Sequence, residues 1–228
     1  MLRRRVVLIA WVVSALLSSG VGLAQTENPP INLATWDDEI AKGLLPYHQL
    51  KVEDFRVADQ TDAAFRVKGF IDPHYRLFLK AGHGGFVYAY IDQWVVFSGF
   101  DRNESWRKSS FRDMKVELPY AQTFIDITEI YGRQLAAIQT GQLPFGRGAS
   151  PDAAQADLAF KVRVMCAETY GRVEAECNAF AKATEFGRDK KKVRELSAAV
   201  RKRLEAWPTP SQTPSPTPSP AASAHVLK

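Results

Sequence analysis

The stretch AAFRVKGFIDPHYRLFLKAGHGGFVYAYIDQWVVFSGF, residues 63–100, decides the fold class, because its apolar side chains recur at every second position. Phe65 and Val67 stand opposite Arg66 and Lys68, and Tyr75, Leu77 and Leu79 alternate with Arg76, Phe78 and Lys80. A period of two puts successive side chains on opposite faces of an extended chain. The segments AAFRVKGFI, HYRLFLKA, GFVYAYID and QWVVFSGF therefore read as four strands joined by short turns, an antiparallel meander. Gly82, Gly84 and Gly85 around His83 mark the sharpest of those turns. Tyr88, Tyr90, Trp94, Phe97 and Phe100 lie at strand spacing and read as sheet core before ligand platform.

Upstream, WDDEIAKGL (36–44) has the acids of a short helix start, and LLPYHQLKVEDFRVAD (44–59) reads as a strand and turn leading to the sheet. Downstream of Trp106 the period becomes 3.6. Residues 115–139 carry Leu118, Ile125, Ile127, Ile130, Tyr131 and Leu135 on one stripe, with Pro119 near the start of the helix. A second helix from Pro151 keeps Leu158, Val162, Met165, Tyr170, Val173, Cys177 and Phe180 on one face, with Gly187 at its end. A third, to Trp207, repeats the pattern with Val193, Leu196, Val200 and Leu204. Strands first and helices after predict an α+β fold, an antiparallel sheet of about four strands packed on two to three long helices.

The ends have other compositions. Arg3, Arg4 and Arg5 precede an apolar run from Val6 to Leu17 and small residues closing on Ala24, the layout of a secretory signal peptide cleaved after residue 24. The run is too short for a membrane-spanning helix of about 20 residues. From Pro208 the chain reads PTPSQTPSPTPSPAASAHVLK, which has no apolar face and is expected to be a disordered tail over 208–228. Residues 25–207 then form one domain of ordinary size. Cleavage takes away three arginines and no acid, leaving 27 basic against 25 acidic side chains, so the mature balance is +2 and nucleic acid is not an expected partner.

Cys166 and Cys177 lie eleven positions apart in one predicted helix, about 16 Å along its axis against a bridging limit near 7 Å, so two free thiols are expected. Among the histidines His48, His74, His83 and His225, no two have ligand spacing, and a metal site from them would need long-range assembly.

The segment LPYAQTFIDITEIYGRQL (118–135) resembles the active-site helix of a bacterial family of unknown function whose members are predicted secreted zinc proteases. The family helix runs L-x-H-E-Q-x-H-F-D-I-x-E-x-x-A-R, and Leu118, Gln122, Asp126, Ile127, Glu129 and Arg133 stand in register with it. Asp54-Phe55 is similar to an early D-F, Ser105-Trp106 to an S-W before the helix, and FAKATEFG (180–187) to a late Y-D-x-E-T-x-H-G. A zinc protease needs two imidazoles four apart on one helical face and a glutamate beside the first. Those positions here are Tyr120, Ala121 and Phe124. In the late motif the glutamate corresponds to Ala183 and the candidate third histidine to Phe186.

The resemblance therefore implies a metalloprotease-like fold with no zinc, no cofactor and no catalysis. Tyr120, Phe124 and Phe186 are expected to meet as an apolar contact between two helices. The leading expectation is a periplasmic or secreted, non-catalytic binding or scaffolding protein with an envelope ligand. A second is a hydrolase built on Asp126 and Glu129, although Glu129 is also placed to pair with Arg133 one turn on. A third is a structural envelope protein whose basic segment 188–203, with eight Lys or Arg and two acids, rests on an anionic surface.

Overall fold

Two long strands do the work expected of four. The computed structural model describes residues 33–59, 63–111 and 113–207, so the signal-peptide and tail readings lie outside the described residues. In chain order the elements are α1 (Trp36–Ala41), β1 (Leu44–Pro46), β2 (Arg56–Val57), β3 (Phe65–Arg66), β4 (Gly69–Ala81), β5 (Val87–Asp101), β6 (Trp106–Arg107), α2 (Met114–Ala136), β7 (Gly146–Gly148), α3 (Pro151–Ala183) and α4 (Lys190–Glu205). The fold is α+β, as expected, with a four-stranded antiparallel sheet. Its centre is the β4–β5 hairpin, and β1 and β7 pair with opposite ends of β5.

The meander expectation fails at two places for physical reasons. Asp72-Pro73 looks like a strand break, but β4 pairs only with β5, and an edge strand tolerates proline. Asp92-Gln93 looks like a turn, but the register shifts there, from Arg76↔Gln93 to Leu77↔Ile91, so the extra residue is a bulge. Arg76 holds Asp92 at that bulge with a 2.6 Å ion pair. The segment AAFRVKGFI is divided instead: Phe65–Arg66 joins a small separate sheet, β2-β6-β3, and Gly69 begins β4.

One sheet face receives the long helices. Ile71, Val96 and Phe100 pack with Phe124, Ile127 and Ile130 of α2, while Ala89 and Ile91 pack with Ala154, Leu158 and Val162 of α3. Val193, Val200 and Leu204 of α4 close the same core from beyond α2. All three helices fall where the 3.6-residue stripes predict them. Helix α3 is continuous through Gly171, and both cysteines are free thiols. Burial pushes the Cys166 thiol up to about 11 and Cys177 higher still, so neither is a reactive thiolate at neutral pH. Among the described residues no helix is long and apolar enough to cross a membrane.

Candidate functional site

Tyr120, Ala121 and Phe124 occupy one buried face of α2, as their spacing of one turn requires. The tyrosine and phenylalanine rings meet edge to face at 5.0 Å. The partner ring from α3 is Phe180, not Phe186. Phe180 stacks on Tyr120 at 5.4 Å and meets Phe124 edge-on at 5.5 Å. Phe180 is 5% exposed and Phe186 is 45% exposed, so the expectation for Phe186 is corrected.

The reason is the end of α3. The helix stops at Ala183, which is itself exposed, and Glu185, Phe186 and Gly187 then take positive φ angles of 49°, 56° and 83°. This left-handed turn swings the Phe186 side chain outward and brings the backbone of Gly187 against the Tyr120 ring. The Phe186 amide donates to the Ala181 carbonyl at 2.7 Å, which seals the turn. The late motif therefore contributes its first residue to the interface, and Ala183 and Phe186 face solvent.

These positions do not fit a zinc centre. Rings and a methyl group offer no lone pairs, and the single donor atom present is the Tyr120 hydroxyl. That hydroxyl is buried and has no hydrogen-bond partner among the described residues.

The motif positions that match the family form ties around α2. Gln122 acts as a strand partner for the N-terminal segment: its Oε1 accepts from the Leu50 amide at 2.7 Å, and its Nε2 donates to the His48 carbonyl at 3.2 Å and to Asp126 at 2.8 Å. The Tyr47 hydroxyl donates to the same Asp126 oxygen at 2.9 Å. Glu129 accepts from Ser98 of β5 at 2.6 Å and from Arg133 at 2.8 Å, and Arg133 also donates to the Trp207 carbonyl at 2.8 Å. The pairing of Glu129 with Arg133 is as the sequence predicts.

Asp126 and Glu129 thus belong to two separate networks. Burial pushes both carboxyls above the usual range, against the hydrogen bonds that favour their ionised forms. Asp126 is 1% exposed and Glu129 4%. The early anchors are structural neighbours. Arg56 pairs in register with Trp106 across the small parallel contact of β2 and β6, which sets Asp54-Phe55 beside Ser105-Trp106. Phe55 meets Phe100 edge-on at 5.3 Å, the buried Ser105 hydroxyl accepts from the Lys68 amide at 3.0 Å, and Asp54 accepts from the Lys51 amide at 2.6 Å.

Two constellations escape the sequence reading. Tyr88 and Tyr90, expected in the sheet core with Trp94, Phe97 and Phe100, are only half-buried. They join exposed Phe78 and Phe145 in a row of rings 5.4 to 6.2 Å apart at the turn end of the hairpin. Lys161 stands 5.3 Å over the Phe145 ring, and the Arg147 guanidinium 3.8 Å over Phe86 nearby. Phe145 is the member no periodicity reveals, because it comes from the loop before β7. The second is Glu39 with Asp72 and His74, whose donor atoms lie within 4.8 Å of one another. The D-x-H spacing on one strand face was its only signal.

The basic segment lies as a solvated face. Of its eight cations, Lys190 pairs with Glu117 at 2.6 Å, Lys191 with Glu195 at 3.9 Å, and Arg203 with Glu176. No protein-family model, curated protein or solved structure matches this chain.

Proposed function

We propose that this chain is an exported, non-catalytic binding protein, a degenerate relative of the zinc-protease-like family it resembles, whose ligand is an envelope polysaccharide held by the ring row at the hairpin end. The row carries the reading. Tyr90 stacks with Phe78, Tyr88 and Phe145 at interplanar angles of 24°, 23° and 27°, and Phe78 and Phe145 leave nearly half their surface in water. The apolar C–H face of a pyranose packs on such rings while its hydroxyl edge stays hydrated. Phe78, Tyr88 and Tyr90 are fixed on the sheet and lose little freedom when a ligand arrives. The Arg147 guanidinium beside the row favours a chain with acidic groups, while Lys161 is already paired with Asp157 at 2.8 Å.

Two observations support the absence of catalysis. The positions that correspond to a protease's helix ligands and base, Tyr120, Ala121 and Phe124, lie in an apolar knot with Phe180. Asp126 and Glu129, the alternative acid and base, are sealed from substrate and committed to Tyr47, Gln122, Ser98 and Arg133. The pairing of Lys190, Lys191 and Arg203 weakens the third reading, a helix resting on an anionic surface.

The test is co-sedimentation of the mature chain with isolated bacterial cell-wall sacculi. The protein should pellet with them, and the double variant Tyr90→Ala, Phe145→Ala should stay in solution with an unchanged circular dichroism spectrum. Equal pelleting of the variant would remove the row from the ligand face. Failure of the natural chain to pellet, with dimerisation that the variant abolishes, would make the row a self-interface and overturn the reading.

A further inference from the structure

We propose that Glu39, Asp72 and His74 form a divalent-metal site of the zinc class, a clip joining α1 to the edge strand β4. It lies apart from the knot around Tyr120 and does not rest on the polysaccharide reading. Asp72 and His74 are two apart on one strand and so share a face. Glu39 arrives from α1, where it sits three residues after Trp36 on the same inward side. Trp36 anchors that helix by meeting Phe97 edge-on at 4.8 Å and Phe70 at 6.4 Å, and His74 meets Phe97 at 5.4 Å. The three donors are therefore presented by packed elements.

The spacing suits a metal. His74 Nε2 lies 3.2 Å from Asp72 Oδ2 and 3.5 Å from Glu39 Oε1. Donors bound to one ion at about 2.0–2.2 Å in tetrahedral geometry stand roughly 3.4 Å apart. A second observation points to a ligand. Glu39 is fully buried, and its Oε2 has no hydrogen-bond partner among the described residues. A buried carboxylate oxygen left without a donor is costly, and a cation beside His74 would supply the missing contact.

Lys42 already contacts the other oxygen, Oε1, at 2.8 Å, but its side chain is 54% exposed and can swing into water as an ion enters. One imidazole nitrogen with two carboxylate oxygens matches zinc and similar borderline ions better than magnesium or calcium, which prefer all-oxygen shells. Asp72 and His74 are partly exposed, so the ion would have a path from solvent and a free coordination position.

The experiment is isothermal titration of the metal-stripped mature chain with zinc chloride, beside magnesium chloride. One zinc per chain should bind, with no measurable magnesium uptake and a thermal midpoint that rises with zinc concentration. His74→Ala and Asp72→Asn should each reduce zinc affinity at least tenfold, while His48→Ala leaves it unchanged. Asp72 is partly exposed, so its variant reports on the site even if a change at His74 disturbs folding. Absence of stoichiometric zinc in the natural chain, or retention of it in Asp72→Asn and His74→Ala, would overturn the proposal.

Discussion

A methyl group at Gly187 would stand 3.2 Å from Cγ of Tyr120, so the turn after α3 lies directly on the Tyr120 ring. Gly187 also has φ of 83°, where side chains with a β-carbon are strained. Gly85 shares the conformation, with φ of 78°, but a methyl group there would meet nothing within 4 Å. Gly187→Ala should therefore destabilise by about 1–2 kcal/mol or more, and Gly85→Ala by less. Urea midpoints of the two variants check this, and equal losses would show that the contact with Tyr120 is unimportant.

Phe180 and Phe186 should differ sharply. Phe180→Ala removes a ring packed between Tyr120 and Phe124 and should cost about 3–5 kcal/mol. Phe186→Gly removes an exposed ring at φ of 56° and should leave stability within about 1 kcal/mol of the natural chain, or raise it. Thermal unfolding of both decides, and a large loss at Phe186 would restore the register in which it enters the core.

The Tyr120 hydroxyl invites a gain. Tyr120→Phe keeps the ring stack and removes a buried group without a described partner, so unfolding free energy should rise by about 1 kcal/mol. A loss of similar size would reveal a hydrogen bond to that oxygen.

Asp126 should make stability depend on pH. Its carboxyl is held above the usual range in the folded chain, so the folded state binds more protons than the unfolded one between the two values. Stability from this group is therefore greatest below the unfolded carboxylate pKa and falls as pH rises through the folded one. Asp126→Asn keeps an oxygen to accept from Tyr47 and Gln122 and should flatten part of that fall as pH rises from about 4. Urea titrations across this range measure it, and a steeper fall in the variant would show that the ionised carboxylate is the favoured buried form.

The helices were legible because their stripes are long: α3 buries Leu158, Val162, Val173, Cys177 and Phe180 on the face the sequence marks. The strands were legible in type but not in length, since Pro73 and Asp92-Gln93 are break signals locally and an edge position and a bulge in context. Gln122, Asp126, Glu129 and Arg133 were legible as a set, yet their partners Tyr47, Leu50, Ser98 and Trp207 lie 31 to 79 residues away and follow no local rule. Phe186 was misplaced because linear register cannot show a helix ending three residues early in a left-handed turn. Glu39 was invisible for the same reason as the ring of Phe145, each arriving from an element with no sequence link to its neighbours.

The Gln122 bond to Leu50 spans 72 residues, whereas the two strands of the central hairpin meet across a turn of five. Closing a long loop costs more chain entropy than closing a short one, and contacts of small sequence separation form first. The hairpin is then expected to form first and the 47–50 segment to lock onto α2 late. Substitutions at Gln122 will act chiefly on the unfolding rate and those in the hairpin on the folding rate. Proteolytic nicking at the 47–50 segment should therefore track how long Gln122 keeps hold of the Leu50 amide.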